Sequence, residues 1–391
     1  MVDKKNVLYL HAGAEMYGAD KILLEIVEGL DRTKYNPIVV LPNNGVLVDA
    51  LKKIDVEVHV IPYPILRRKY FNPRGIIDYV KSYHKSCNLI IERVIKDRKI
   101  SLIHVNTSAV LEGIYLKKKL HAKLLWHVHE IITHPQAINL FLAFLMGRYS
   151  DEVLCVSGPV ENHLLKTKLI KPSKLTVLHN GITPEKSDEK QVEELKSEFN
   201  VDNQSINVGM IGRINAWKGQ NDFFNAMEVV LKDNPSVNEF IVGDVFKGQE
   251  WRKNELKEKI DNSDYSDRIH LVGYRTDTNN FYGLFDVFAL PSIEPDPFPT
   301  VALEAMSAGD PIVAYNHGGV TEMVKNGTNG YLVNVRDEKA MVNKINKLVS
   351  DDSLRKEFGS KSKEIFDNNF QLSVFDEKIN DIYEEIINAK N

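Results

Sequence analysis

At 391 residues the chain is too long for one ordinary hydrophobic core, so two domains, each somewhat under ~200 residues, are expected. The 50 Lys plus Arg nearly balance the 54 Asp plus Glu, a net charge of −4, which offers no field for nucleic acid. The only cysteines, Cys87 and Cys155, lack metal-ligand spacing, which argues against a disulfide scaffold and fits a reducing, cytoplasmic compartment.

Short apolar runs alternate with helical patterns along the chain, as in parallel α/β units. In the first part the predicted strands are Val7 to Leu10, Asn36 to Leu41, Glu57 to Ile61, Leu102 to Val105, Leu124 to Val128, Val153 to Val156 and Thr176 to Leu178. Lys4 and Lys5 run directly into the first of these and then into polar sequence, which is not the pattern of a secretory leader. Leu10 leads into a loop with Gly13 and Gly18, then a helical stripe of Ile22, Leu23, Ile26, Val27 and Leu30. That order suits approach to a phosphate, but the complete dinucleotide fingerprint is missing, which disfavours a nicotinamide cofactor.

Further along, Tyr63 to Phe71 sets the cations Arg67, Arg68 and Lys69 among aromatic and aliphatic residues. They read either as a solvated loop with snorkelling side chains or as the contact for a lipid-phosphate acceptor or an anionic membrane surface. Trp126 to Glu130 ends another strand, and its histidines at i and i+2 are read as pointing to opposite faces, His129 functional and His127 structural. No third ligand with suitable spacing accompanies them, so no metal is expected. Ile138 to Gly147 is far shorter than the ~20 residues a membrane-spanning helix needs and is predicted as a core helix. Its flanks carry too little positive charge to favour a place on a membrane surface.

A turn cluster at His179 to Pro184 marks the linker, giving domains at 1–179 and 180–369, with Phe370 to Ala389 predicted as a helix crossing back to the first. The second set of strands is Asn207 to Ile211, Glu239 to Val242, Ile269 to Leu271, Val287 to Leu290, Pro311 to Tyr315 and Gly330 to Val333. After the first of these, Gly212 to Gly219 forms a tight turn whose cations Arg213 and Lys218 suit a diphosphate. Residues 291–306 carry the most information: four prolines between Pro291 and Pro299 forbid a helix, then Thr300 to Met306 favours one, with Pro299 expected in its first turn. Unsatisfied N–H groups at such a start attract a phosphate. Pro299 has none, so the contacts fall to Thr300 and Val301. Glu304 lies on the face of Thr300, about 6 Å along the axis, placed to hold ribose hydroxyls.

The segment from Asp296 through Phe298 to Glu304 resembles the acidic signature of family 4 glycosyltransferases, with Asp where the family usually has Glu and Pro299 in place of Gly. The resemblance continues in Arg213 and Lys218, the family's diphosphate-binding pair, and in Gly18-Ala19-Asp20, which implies that Gly18 lies near the donor diphosphate and sugar. Gly273 to Asp277, with Arg275, resembles the loop that meets the nucleobase, and His317-Gly318-Gly319 resembles a family turn. The family's histidine at donor sugar and acceptor corresponds to His129.

The resemblance implies a GT-B fold of two Rossmann-like, doubly wound α/β domains facing an interdomain cleft. It implies sugar transfer from a nucleotide-sugar donor to a saccharide or lipid-linked acceptor in cell-surface polysaccharide or glycoconjugate synthesis. It implies further that anomeric configuration is retained and that no metal or other cofactor is used. Arg213, Lys218 and the helix start at Thr300 then stabilise the leaving diphosphate, Asp296 orients the sugar, and Arg67, Arg68 and Lys69 meet the acceptor or the inner face of the membrane. The alternatives are a nucleotide-sugar 2-epimerase and an inactive sugar-nucleotide-binding protein.

Overall fold

The computed structural model describes residues 4–16 and 18–389. The chain folds into two compact units, one of Met1–Gly181 with Leu372–Asn391 and one of Ile182–Gln371, against expected breaks at 179/180 and 369/370. Where the chain passes between units its two segments run side by side, Ile182 N–H donating to the carbonyl of Phe370 at 3.0 Å.

The first unit holds a seven-stranded, all-parallel sheet. In chain order its strands are β1 (Lys5–Leu10), β2 (Tyr35–Leu41), β3 (Glu57–Val60), β4 (Ile100–Val105), β5 (Lys123–Val128), β6 (Glu152–Cys155) and β7 (Leu175–Val177). They are arranged β3-β2-β1-β4-β5-β6-β7. The second unit has six parallel strands, β8 (Ile206–Ile211), β9 (Val237–Val242), β10 (Ile269–Val272), β11 (Val287–Leu290), β12 (Ile312–Tyr315) and β13 (Gly330–Val333), arranged β10-β9-β8-β11-β12-β13. All thirteen predicted strands are present. Helices cover both faces of such sheets, so their strands are apolar almost throughout, and in β9, β11 and β12 every residue is buried.

In each sheet the strand order reverses direction at one point, between β1 and β4 and between β8 and β11. At that point the flanking connections leave to opposite sides, and a crevice opens beyond the carboxyl ends of the strands. The last helix, Leu372–Asn388, belongs to the first unit, where Phe375, Ile379, Tyr383 and Ile386 join the core cluster around Tyr9, Ile22 and Val39. Tyr383 meets Tyr35 edge-on at 5.9 Å, and its hydroxyl lies 2.5 Å from His104 Nδ1.

The expectation of a core helix at 138–147 is only half met. The Gln136–Tyr149 helix buries Asn139, Leu142, Ala143 and Met146 but exposes Leu140, Phe141 and Phe144. The stretch is apolar all round except for Asn139, and that one polar residue points inward, so the sequence offered no polar face to mark the outer side.

Candidate active site

In the second unit the loops after β8, β11 and β12 converge at the switch point. Asn215 shapes the first: its Oδ1 accepts from the N–H groups of Trp217 and Lys218, both at 3.0 Å. Gly219 closes that turn with φ +77°, and a Cβ there would lie 1.9 Å from the carbonyl oxygen of Pro291. Only glycine allows the β8 loop to press on the β11 loop this closely. The contact is fastened by Ile293 N–H, which donates to the carbonyl of Trp217 at 2.6 Å. From the other side Gly318, at φ +67°, packs against the backbone of Asp296, and Gly319 N–H donates to the Asp296 carbonyl at 2.8 Å.

These braces bring together two side chains 78 residues apart. Lys218 Nζ lies 2.6 Å from Asp296 Oδ2, with the side chains only 19% and 24% exposed. Arg213, on the same loop as Lys218, stacks its guanidinium 3.4 Å from the centre of the Phe246 ring. The neighbouring Glu294 is exposed, and among the described residues only its backbone is engaged, its N–H donating to the Trp217 carbonyl at 3.4 Å.

The helix begins at Thr300 and runs to Ala308. Pro299 is its N-cap, one position earlier than expected, with φ −71° and no side-chain cap, which leaves the first turn to its backbone N–H groups. Thr300, Val301 and Glu304 are half-buried. Glu304 Oε2 accepts from the Tyr282 hydroxyl at 2.8 Å, and burial holds that phenol in its protonated, donating form.

Two residues assigned to the donor are differently engaged. The Phe298 side chain is 5% exposed and packs edge-on against Phe370 at 5.8 Å, so it anchors the loop and only its backbone is available to a ligand. The Arg275 guanidinium is gripped by the Asp277 carboxylate at 2.9 and 2.8 Å and approaches Glu198 at 3.3 Å, an arrangement that fixes its own loop.

In the first unit the loops after β1, β4 and β5 meet at the other switch point. Asn106, next after β4, is the hub: its Nδ2 donates to the Ala19 carbonyl at 3.0 Å, which fixes the amide so that Oδ1 faces His129 Nε2 at 2.9 Å. An amide oxygen only accepts, so His129 carries its proton on Nε2 and leaves Nδ1 as an acceptor. Burial, reinforced by the nearby His127 and His11, keeps His129 neutral by pushing its pKa well below the usual value. His11 is held between Asp20, 2.5 Å from its Nε2, and the Asn106 carbonyl, 3.1 Å from its Nδ1. Glu130 Oε2 accepts from the Ser108 N–H at 3.2 Å and Oε1 from the Thr107 hydroxyl, which locks the β4 and β5 loops together.

The two histidines do not face opposite ways. Residues i and i+2 of a strand share a face, and the rings of His127 and His129 lie 4.2 Å apart. What separates them is depth: His127 is fully buried, His129 half-buried beyond the strand end. Asn106 was missed, although its place directly after a strand beside β1 was the available signal.

Gly18 starts the Gly18–Glu28 helix, and among the described residues beyond its chain neighbours a Cβ there would meet nothing within 4 Å. Arg67, Arg68 and Lys69 are exposed on a short 3-10 turn after β3, with Lys69 Nζ 4.9 Å from the Tyr70 ring centre. No group of His, Cys, Asp and Glu arranged to hold a metal occurs among the described residues, and no described helix is long and apolar enough to cross a membrane.

Known proteins match both halves in order. Residues 16–186 match the model described as Glycosyltransferase Family 4, and residues 191–365 that described as Glycosyl transferases group 1. The capsular polysaccharide biosynthesis glycosyltransferase CapM of Staphylococcus aureus is 24% identical over 352 residues, 85% of this chain and 86% of that protein. An Escherichia coli UDP-Gal:alpha-D-GlcNAc-diphosphoundecaprenol alpha-1,3-galactosyltransferase is 24% identical over 383 residues, 95% of this chain and 94% of its own. Among solved structures, Anabaena HepE in complex with UDP superposes with a TM-score of 0.84 at 23% identity, covering 97% of this chain and 100% of HepE.

Proposed function

Since the chain belongs to family 4 of the GT-B glycosyltransferases, both of its halves matching family models in order, we propose that it transfers a sugar from a nucleoside diphosphate sugar with retention of anomeric configuration and without a divalent metal. The observation that carries this reading is the Lys218–Asp296 pair at 2.6 Å, set at the switch point of the second unit beside a helix start without a side-chain cap. In the transfer the bond between the anomeric carbon and the diphosphate breaks, and negative charge develops on the diphosphate. Arg213, Lys218 and the N–H groups of Thr300 and Val301 are the groups assigned to that charge, in the role a metal would otherwise fill. Asp296 acts on the sugar, Glu304 on the ribose, and neutral His129 offers Nδ1 as an acceptor to a sugar or acceptor hydroxyl.

HepE is known bound to UDP, and the E. coli relative uses UDP-Gal and a diphosphoundecaprenol-linked acceptor, which favours a UDP-sugar donor and a lipid-linked or saccharide acceptor here. The reading assigns the chain to the cytoplasmic side of the membrane, where the buried free thiols of Cys87 and Cys155 stay reduced. A thermal-shift screen of UDP-, GDP-, ADP- and dTDP-sugars identifies the donor, since ligand at 100-fold above Kd stabilises by about 2.7 kcal/mol. NMR of the product's anomeric centre, with the reaction run in EDTA, then tests the rest. An inverted product or a Mg²⁺-reversible loss of activity refutes the corresponding part. Donor incubated alone tests the 2-epimerase alternative, which the transferase relatives disfavour.

A further inference from the structure

In the second unit the β8 and β9 loops are joined along the backbone on both sides of Arg213. Gly212 N–H donates to the Val242 carbonyl at 2.9 Å, and Ile214 N–H to the Asp244 carbonyl at 3.0 Å. The β9 loop is itself fixed at Asp244, whose carboxylate accepts from Lys253 Nζ at 2.9 Å and from the Val245 N–H at 2.8 Å. Phe246 then opens a turn, its carbonyl accepting from the Gln249 N–H at 2.9 Å, and the Glu250–Asp261 helix follows. The Phe246 ring is 40% exposed, so it gains only part of the hydrophobic stabilisation of a core phenylalanine. What it does contact is the Arg213 guanidinium, stacked 3.4 Å from the ring centre.

The two cations of the β8 loop are thus held in different ways. Lys218 is held through its charge by the Asp296 carboxylate, and that charge is what a diphosphate claims. Phe246 holds Arg213 by the flat face of the guanidinium. The N–H donors of a guanidinium lie in its plane, so a ring stacked on the face directs them to the edges, in the fork that takes a phosphate bidentately. A long side chain ordered only when ligand arrives loses rotamer freedom at that moment and weakens binding. A ring already against the guanidinium removes part of that loss beforehand.

We propose that Phe246 is a positioning residue of the donor site, its ring presetting Arg213 to receive the diphosphate of the nucleotide sugar. This role rests on the one assigned to Arg213 in the transferase reading. Calorimetry of the full-length protein with UDP, GDP, ADP and dTDP, carried on with whichever binds most tightly, separates the two. Phe246→Leu keeps apolar bulk and removes the ring face, and nucleotide affinity is expected to fall about fivefold, as for a contact of about 1 kcal/mol. KM for the donor should rise by a like factor with kcat within about threefold. Phe246→Tyr, which keeps the ring, should bind within about twofold of wild type, and neither change should lower the melting temperature. In an Arg213→Ala background Phe246→Leu should have no further effect, because the ring acts only through the guanidinium. Wild-type affinity in Phe246→Leu, an equal loss in Phe246→Tyr, or the same loss with Arg213 absent overturns the proposal. If Arg213→Ala weakens the nucleotide while Phe246→Leu does not, only this inference falls. Wild-type affinity in Arg213→Ala, or binding of none of the nucleotides, removes the role of Arg213 and that of Phe246 with it.

Discussion

Asp296→Asn separates the two roles a carboxylate can take beside Lys218. In the structure Asp296 Oδ2 and Lys218 Nζ are 2.6 Å apart. A diphosphate arriving at this loop must draw the ammonium away from that carboxylate. Charge pairs near a surface attract by about 4 kcal/mol at 4 Å and an effective dielectric of 20, but desolvation and side-chain ordering leave a net of roughly 1 kcal/mol at most. Asn keeps the shape and removes the charge. Affinity for the nucleoside diphosphate should therefore hold or tighten, by up to about fivefold for 1 kcal/mol. Turnover should fall by roughly 100-fold, since a group acting on the sugar in the transition state contributes about 3 kcal/mol. Calorimetry with the nucleotide and initial rates with the donor measure both. Exposed Glu294, engaged only through its backbone, is the control, and Glu294→Gln should stay within about threefold of wild type. A crippled Glu294→Gln shifts the register by two residues and removes Asp296 from its role. A tenfold loss of nucleotide affinity in Asp296→Asn shows instead that the carboxylate serves to place Lys218.

Lys218→Ala should lower turnover by at least roughly 100-fold and, unlike Asp296→Asn, also weaken nucleotide binding, because it leaves the Asp296 carboxylate facing the diphosphate alone; wild-type kinetics in this variant sink the site. His129 is held neutral well below its usual pKa, so transfer should show no ionisation from it between about pH 6 and 8. Asn106→Asp should introduce one, since a carboxylate 2.9 Å from Nε2 favours the imidazolium; an unchanged pH–rate profile removes Asn106 as the residue that positions His129. Glu112 is buried and its pKa is raised to about 8 by desolvation. Between about pH 4.5 and 8 the unfolded chain releases a proton that the folded protein keeps, so stability falls as pH rises through that window. Glu112→Gln should raise the Tm at pH 8 by at least about 2–4 °C, the effect of 1 kcal/mol on a domain of this size, and by less at pH 5; a pH-independent shift refutes this.

The strands were legible because parallel sheets buried on both faces leave unbroken aliphatic runs, such as Val287 to Leu290, between turn residues. The loop residues of the second unit were legible for a related reason: glycines and prolines at 212–219, 291–299 and 317–319 mark where chain must leave a strand sharply. What those runs did not carry was contact between segments distant in sequence. Phe298 and Arg275 sit in motifs that promise a ligand, yet each is claimed by a partner, Phe370 in one case and Asp277 with Glu198 in the other. The exposure of Leu140, Phe141 and Phe144 was equally hidden, because it depends on which side of a helix without a polar face meets the sheet, and the polar Asn139 lies on the buried side.

Topology explains why the candidate residues nonetheless collect where they do. With order β10-β9-β8-β11-β12-β13, the β8 and β11 loops part at the reversal point, and any side chain at the end of either strand borders the same crevice. Lys218 and Asp296 therefore needed no sequence proximity to meet, only glycines that let their loops touch: Gly219 against Pro291 on one side, Gly318 against Asp296 on the other. The first unit repeats the arrangement with β1 and β4, where Asn106 links His11 and Ala19 to His129. A substitution at Gly219 or Gly318 must then act through the pair. A Cβ at either position collides with backbone rather than with a movable side chain, so relief requires one loop to withdraw and the 2.6 Å contact to open.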